Sequence, residues 1–190
     1  MIWVFLDYSV VEAYMSRIGL SSPESAGGAG AAILKEIEAA FGMVPNLFKA
    51  YAHHPPLLEA NWNKVKAVMM QGGLSRKLKE TIAVTVSRDN SCAYCVSAHT
   101  AALKSIGIND SELKAIEEDL DKADFSVKEK ALLGFVRKAN KEPLRITDAE
   151  FETLRASGAT KAEIVEALGV MEVFTAFNKF LDSLCVEIDF

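Results

Sequence analysis

Apolar residues return every three or four positions along most of this chain, the spacing of a helix face rather than of a strand. The pattern shows in Ile33, Ile37, Ala40 and Phe41, then in Leu58, Trp62, Val65 and Met69. It recurs in Leu132, Phe135 and Val136, and in Ile164, Leu168, Met171 and Phe174. Helix starts are marked as well. Asn109 with Glu112, Ser126 with Glu129, Thr147 with Glu150 and Thr160 with Glu163 each set a capping side chain three residues before a glutamate. That arrangement satisfies the free amides of a first turn. Gly107 and Gly158 stand where helices should stop. One run reads both ways: TIAVTV, Thr81 to Val86, is β-branched and alternating, as a strand would be. Leu78, Ile82 and Val86 also share an i, i+4 face and helical segments lie on both sides, so a helix is expected. The expected fold is all-α.

SSPESAGGAGAA, Ser21 to Ala32, is small and glycine-rich and reads as a linker leading into a helix. A chain of 190 residues fits a single domain, or one built from a duplicated unit. Residues 1–190 are therefore expected to form one domain, with 1–30 an N-terminal extension and linker and 31–185 the helical core. Shifting the chain by 51 residues supports duplication. Leu74-Ser75 then falls on Phe125-Ser126, Gly107 on Gly158, Asn109 on Thr160, and Leu113 on Ile164. Caps, a helix stop and core positions recur in order, and two such copies could bury each other's apolar faces. The copies differ where chemistry is available: Glu80 meets Ala131, Cys92 meets Pro143, Cys95 meets Ile146 and His99 meets Glu150. A polar constellation confined to one copy favours a site over packing.

Net charge narrows the partners. At −5, with no clustered Lys/Arg tract, the chain lacks the basic surface that phosphate neutralisation requires. The apolar N-terminus MIWVFLDYSVVEAYM has no basic residues before its apolar run and carries Asp7 and Glu12. It reads neither as a signal peptide nor as a membrane span, so a cytoplasmic location is expected. Three cysteines make no disulfide framework for a chain this long, and a close pair in a reducing compartment is more often catalytic or metal-binding.

That pair lies in SCAYCVSAH, Ser91 to His99. On a helix Cys95 and His99, four apart, share one face, and Cys92 sits one turn back. Ser91 or Asn90 as N-cap would put both thiols in the first turns, where free amides and the helix dipole favour thiolate. An unperturbed thiol, with pKa ~8.5, is mostly protonated at neutral pH, so the placement matters. In C-x-x-C one sulfur can attack a substrate and the other resolve the product into a disulfide. A histidine one turn beyond Cys95 can take its proton, which makes Cys95 the candidate nucleophile and Cys92 the resolving thiol. Three alternatives compete: two buried structural thiols, a zinc site completed by His53 or His54, and a thioredoxin-like domain with TIAVTV as a strand. No glycine-rich dinucleotide fingerprint is present, so no metal, haem or flavin is expected.

The stretch LSRKLKETIAVTVSRDNSCAYCVSAHTAALKSIG resembles the core of the alkyl hydroperoxidase D (AhpD)-like proteins in the carboxymuconolactone decarboxylase superfamily. FGMVPNLFKAYAHHPPLL and the late ITDAEFETLRASGATKAEIVEALGVMEVFTAFNKFLDSL are similar to segments of its peroxidase-related subgroup. The specific element is a glutamate twelve residues before C-x-x-C-x-x-x-H, and the likeness runs from about Ala31 to Cys185. The resemblance implies an all-helical fold, homo-oligomers such as trimers or hexamers, and hydroperoxide reduction through the cysteine pair. By position it implies Cys95 as peroxidatic thiol, Cys92 as resolving thiol, His99 as base and Glu80 as relay carboxylate. Glu80 owes its role to the resemblance alone. Electrons would come from an external dithiol, in the best-known members a lipoyl-bearing protein. Those members have a histidine inside the C-x-x-C where this chain has Tyr94. Cys185 is expected to be a core or interface thiol. Two further readings remain: decarboxylation of a carboxylated lactone, which needs no dithiol, and a non-enzymatic protein whose disulfide alters binding.

Overall fold

A computed structural model describes residues 16–190, all-α throughout that range. The apolar N-terminal stretch, Met1 to Met15, lies wholly outside the described residues, and with it the expectation that it is neither signal peptide nor membrane span. The helices are α1 (Pro23–Ala26), α2 (Gly28–Phe41), α3 (Asn46–Tyr51), α4 (Pro55–Val65), α5 (Arg76–Asp89), α6 (Ala93–Ser105), α7 (Asp110–Glu118), α8 (Val127–Lys141), α9 (Asp148–Ala156) and α10 (Lys161–Leu184). A wider π turn, Lys66–Met70, extends α4, and a 3-10 turn, Pro143–Arg145, joins α8 to α9. No described helix is long and apolar enough to cross a membrane.

The four cap signals act as their side chains require. Asn109, Ser126, Thr147 and Thr160 each accept a hydrogen bond from the amide three residues on. Gly107 and Gly158 end α6 and α9 with φ of 88° and 92°, a left-handed turn that costs glycine least. The 51-residue offset carries the start of α5 onto that of α8, and the start of α7 onto that of α10. The glycine-rich segment differs from expectation. It is mostly helical, with α1 capped by Ser22 and α2 beginning at Gly28, because Gly27 at φ 63° turns the chain between two helices instead of leaving it open. Residues ahead of it join the fold: the Arg17 amide donates to Leu184 O at 2.8 Å, and Ile18 and Leu20 pack on the core.

α5 lies at the centre, packed on α6, α8 and α10. Every residue from Leu78 to Ser87 is buried. A helix buried all round has no polar face to mark its period, which is why TIAVTV resembled a strand. At α2 the core falls on Leu34 and Ile37, while Ala40 is exposed and Phe41 is 44% exposed.

The entry to α5 is fixed by one carboxylate. Glu166 on α10 pairs with the buried Lys79 at 2.7 Å and accepts from the Gly73 amide at 2.8 Å. Gly72, at φ 97°, passes so close that a Cβ there would lie 2.1 Å from Glu166 Oε1. Glu166→Ala leaves the Lys79 ammonium buried and unpaired and is expected to cost about 3–5 kcal/mol in chemical denaturation.

Candidate active site

Glu80 sits on the second turn of α5, whose first turn is capped by Ser75 accepting from the Leu78 amide at 3.2 Å. α6 lies against α5 and brings His99 to it. His99 Nδ1 is 2.6 Å from Glu80 Oε2, and Arg76, one turn before Glu80, lies 3.5 Å from the other oxygen. The carboxylate is 7% exposed and the imidazole 19%. Burial pushes the Glu80 carboxyl up, but the hydrogen bond and charge of His99, with Arg76, outweigh it and leave the group below the ordinary carboxylate range. Phe174 packs edge-on to the imidazole at 4.3 Å. With Nδ1 engaged, Nε2 is the ring nitrogen left for chemistry.

Neither Asn90 nor Ser91 caps α6. Ser91 takes a left-handed conformation, φ 64°, to reverse the chain after α5, and the Cys92 amide donates to Ser87 O at 2.9 Å. Cys92 therefore occupies the N-cap position and Cys95 lies in the first turn. Asn90 is drawn away into hydrogen bonds with Asn140 and Asn178. Both thiols are free and buried, Cys92 at 0% and Cys95 at 2% exposure. The neighbouring Cys95 holds the Cys92 thiol below its ordinary value. The neighbouring Cys92, then burial, pushes the Cys95 thiol up, and Asn178 and Ser87 oppose the rise.

Cys95, His99, Glu80, Tyr94 and Arg76 all line one cavity of about 360 Å³, whereas Cys92 lies behind its wall. The remaining wall is apolar and includes Phe41, Phe48, Phe174, Phe177 and Phe190. Tyr94 takes no part in the His99–Glu80 pair. Its hydroxyl donates to Asp189 Oδ1 at 2.8 Å and accepts from the Leu47 amide at 3.2 Å, which anchors segment 186–190 beside the thiols. Tyr94→Phe strands the buried Leu47 amide, while Asp189 keeps the Asn46 amide at 2.7 Å, and is expected to destabilise the fold by about 1–3 kcal/mol, read as a lowered denaturation midpoint. Cys185 ends α10 in a left-handed conformation, half-buried.

Histidines from elsewhere do not approach the thiols. His54 caps α4 by accepting from the Leu57 amide at 3.2 Å, and His53 bonds Gly19 O. Among the described residues no three His, Cys, Asp or Glu side chains are placed to hold a metal ion. Sequence reading missed Arg76, Ser87, Asn178 and Asp189. Arg76 was open to i, i+4 spacing from Glu80; a lone asparagine in an apolar helix and a distant aspartate give no local signal.

The family model for the carboxymuconolactone decarboxylase family matches residues 55–138, from the start of α4 into α8, a stretch that holds all four candidate residues. An alkyl hydroperoxide reductase of Mycobacterium tuberculosis is 31% identical over 98 residues, 52% of this chain and 28% of that much longer protein. Among solved structures, a peroxidase-related protein from Ralstonia eutropha described as an alkylhydroperoxidase AhpD core aligns with a TM-score of 0.82 at 27% identity, over 92% of this chain and 93% of that one. A peroxidase-related protein from a Silicibacter species gives 0.83 at 24% identity over 95% of both chains. The debrominase Bmp8 bound to 2,3,4-tribromopyrrole gives 0.76 at 19% identity, over 92% of this chain and 94% of that one. These last two likenesses are of fold alone. Helical architecture, matched segment and near-full-length superposition agree: residues 55–138 match the carboxymuconolactone decarboxylase family, and the chain as a whole is similar to an alkylhydroperoxidase AhpD core.

Proposed function

We propose that the protein is a thiol-dependent reductase of organic hydroperoxides. The observation that carries this reading is a shared cavity: Cys95 opens onto the same space as the His99–Glu80 pair. His99 Nε2 takes the Cys95 proton, and Glu80 holds the imidazolium that results. Cys95 thiolate attacks the O–O bond. An S–O bond forms, the O–O bond breaks, and the leaving alkoxide recovers the proton from His99 as an alcohol. Cys95 is then a sulfenic acid. Cys92 attacks that sulfur as thiolate, the S–S bond forms and the displaced hydroxide is protonated to water. The lowered Cys92 thiol suits this second attack. An external dithiol returns two electrons and two protons to the pair. The apolar wall suits the carbon body of an organic hydroperoxide.

A lactone decarboxylase has no use for a thiol pair with one sulfur on the cavity wall, so that arrangement weighs against that chemistry. The test is hydroperoxide consumption with a dithiol present, alongside a count of free thiols. Catalytic consumption is expected. Oxidation of one pair per chain without turnover, against several dithiols, would favour a redox-responsive binding protein instead.

A further inference from the structure

Thiol chemistry makes no use of Tyr94, which stands between the two sulfurs in sequence. Its hydroxyl is spent on residues that follow α10. It donates to Asp189 Oδ1 at 2.8 Å and accepts from the Leu47 amide at 3.2 Å. The other oxygen of Asp189 accepts from the Asn46 amide at 2.7 Å. Asn46 and Leu47 open α3, and Pro45 before them supplies no side-chain cap. First-turn amides need acceptors from elsewhere in that case. Here they come from a carboxylate 143 positions away and from a phenol on α6.

Two further ties hold the same segment. Asn46 Nδ2 donates to Glu187 O at 3.1 Å, and the Val186 amide donates to Leu181 O at 3.1 Å. Val186 is buried, so residues 186–190 leave α10 as a strap laid against α3 and α6. Phe190 is what the strap carries. Its ring stands edge-on to Tyr94 at 5.7 Å, and alone among residues 186–190 it lines the cavity. Phe48, Phe174 and Phe177 are buried in that lining, whereas Phe190 is 47% exposed and Phe41 44%. The two half-exposed rings therefore form the rim. Phe41 is held by α2 and by Trp62, edge-on at 5.4 Å. Phe190 belongs to no helix and owes its place to the hydrogen bonds of its neighbour Asp189.

We propose that Phe190 is a specificity-determining residue of this cavity, limiting the bulk of the hydroperoxide that reaches Cys95, and that Asp189 is the positioning residue that seats it. A backbone tied one residue earlier leaves the ring few places to go. Incoming carbon then meets a wall rather than a chain it can push aside, and edge-on contact with Tyr94 fixes the ring's tilt. Because Tyr94 belongs to the same first turn of α6 as Cys95, the wall is referenced to the reacting sulfur itself. Asp189 does not line the cavity, so its effect on substrate choice passes through Phe190.

The inference deepens the peroxidase reading and rests on it for the class of substrate. Two hydroperoxides that differ by one ring match the space a missing phenyl would open: cumene hydroperoxide and 1,1-diphenylethyl hydroperoxide. In Phe190→Ala the ratio of kcat/KM, two rings over one, is expected to rise about tenfold. Asp189→Ala should raise the same ratio, although it leaves every lining residue unchanged. A ratio unmoved in folded Phe190→Ala overturns the proposal. A ratio that moves there and not in Asp189→Ala overturns the seating role, as does an equal loss towards both substrates with a fallen thermal midpoint. If Asp189→Ala does not fold, Asp189→Asn, which keeps one of the two accepting oxygens, takes its place under the same criteria. Binding separates this inference from the reading beneath it. Calorimetry with the corresponding alcohols, 2-phenyl-2-propanol and 1,1-diphenylethanol, should show the Kd ratio shifting towards two rings in both variants. A Kd ratio that does not shift overturns the size limit even where catalysis proceeds. A shifted Kd ratio in a protein that consumes neither hydroperoxide would unseat the peroxidase reading and leave the size limit standing.

Discussion

Cys95→Ser is expected to bring hydroperoxide consumption down to the uncatalysed rate, while the fold survives. Serine keeps the size and the hydrogen-bonding reach of the thiol, so the first turn of α6 has no reason to reorganise. It lacks a group that ionises near neutral pH, and thiolate is the species that attacks an O–O bond. Cys92→Ser should behave differently: one equivalent of hydroperoxide is consumed per chain, then turnover stops with Cys95 trapped as sulfenic acid. The two variants separate the roles because only Cys95 lines the cavity and Cys92 lies behind it. Burst kinetics with a sulfenic-acid reagent read the difference. If Cys95→Ser turns over at the wild-type rate, or if the two variants exchange behaviours, the assignment of the sulfurs is wrong.

Glu80→Gln carries the second large effect, a fall in kcat/KM of about 10²–10⁴-fold, the range a positioned acid–base group contributes. Glutamine keeps the shape of the side chain but cannot hold the imidazolium with a negative charge at 2.6 Å. The pH profile checks the cause. The Glu80 carboxyl is held below its ordinary 4.5, so the carboxylate that serves His99 is present above that value and is lost as pH falls through the lowered one. Wild type should therefore show an acid limb below pH 4.5, in activity and in the stability the pair contributes, and Glu80→Gln should lack it in both. An unchanged acid limb in the variant would assign that titration to another group.

Much of this architecture was legible before any coordinates, for reasons that differ by element. Caps at Asn109, Ser126, Thr147 and Thr160 are local: a short side chain and an amide three residues away need nothing from the rest of the chain. The Cys95–His99 face is equally local, since helix geometry alone sets an i, i+4 pair on one side. Two local inferences failed at α6 and α1. The cap expected at Asn90 or Ser91 passed to Cys92, because the Ser87 carbonyl on α5 captured the Cys92 amide and Asn178 on α10 captured Asn90. The glycine-rich stretch became helix because packing of Gly30, Leu34 and Ile37 outweighed its weak intrinsic preference.

Glu80 shows the limit most plainly. Nothing in its own neighbourhood marks it out from a solvated residue beside Lys77 and Lys79, and a role came only from likeness to a family. Burial of α5 on all sides takes it out of water, and the crossing of α5 and α6 places it 2.6 Å from His99. The buried Asn178–Ser87 hydrogen bond arises in the same way, from α5 and α10 meeting 91 positions apart in the chain. By itself the sequence determined what short-range geometry determines: the helices, most of their ends, the repeat and the thiol–imidazole face. Only tertiary structure decided which sulfur meets the cavity and which carboxylate meets the imidazole. Those contacts join helices distant in sequence, and burial, which only packing can settle, makes them strong.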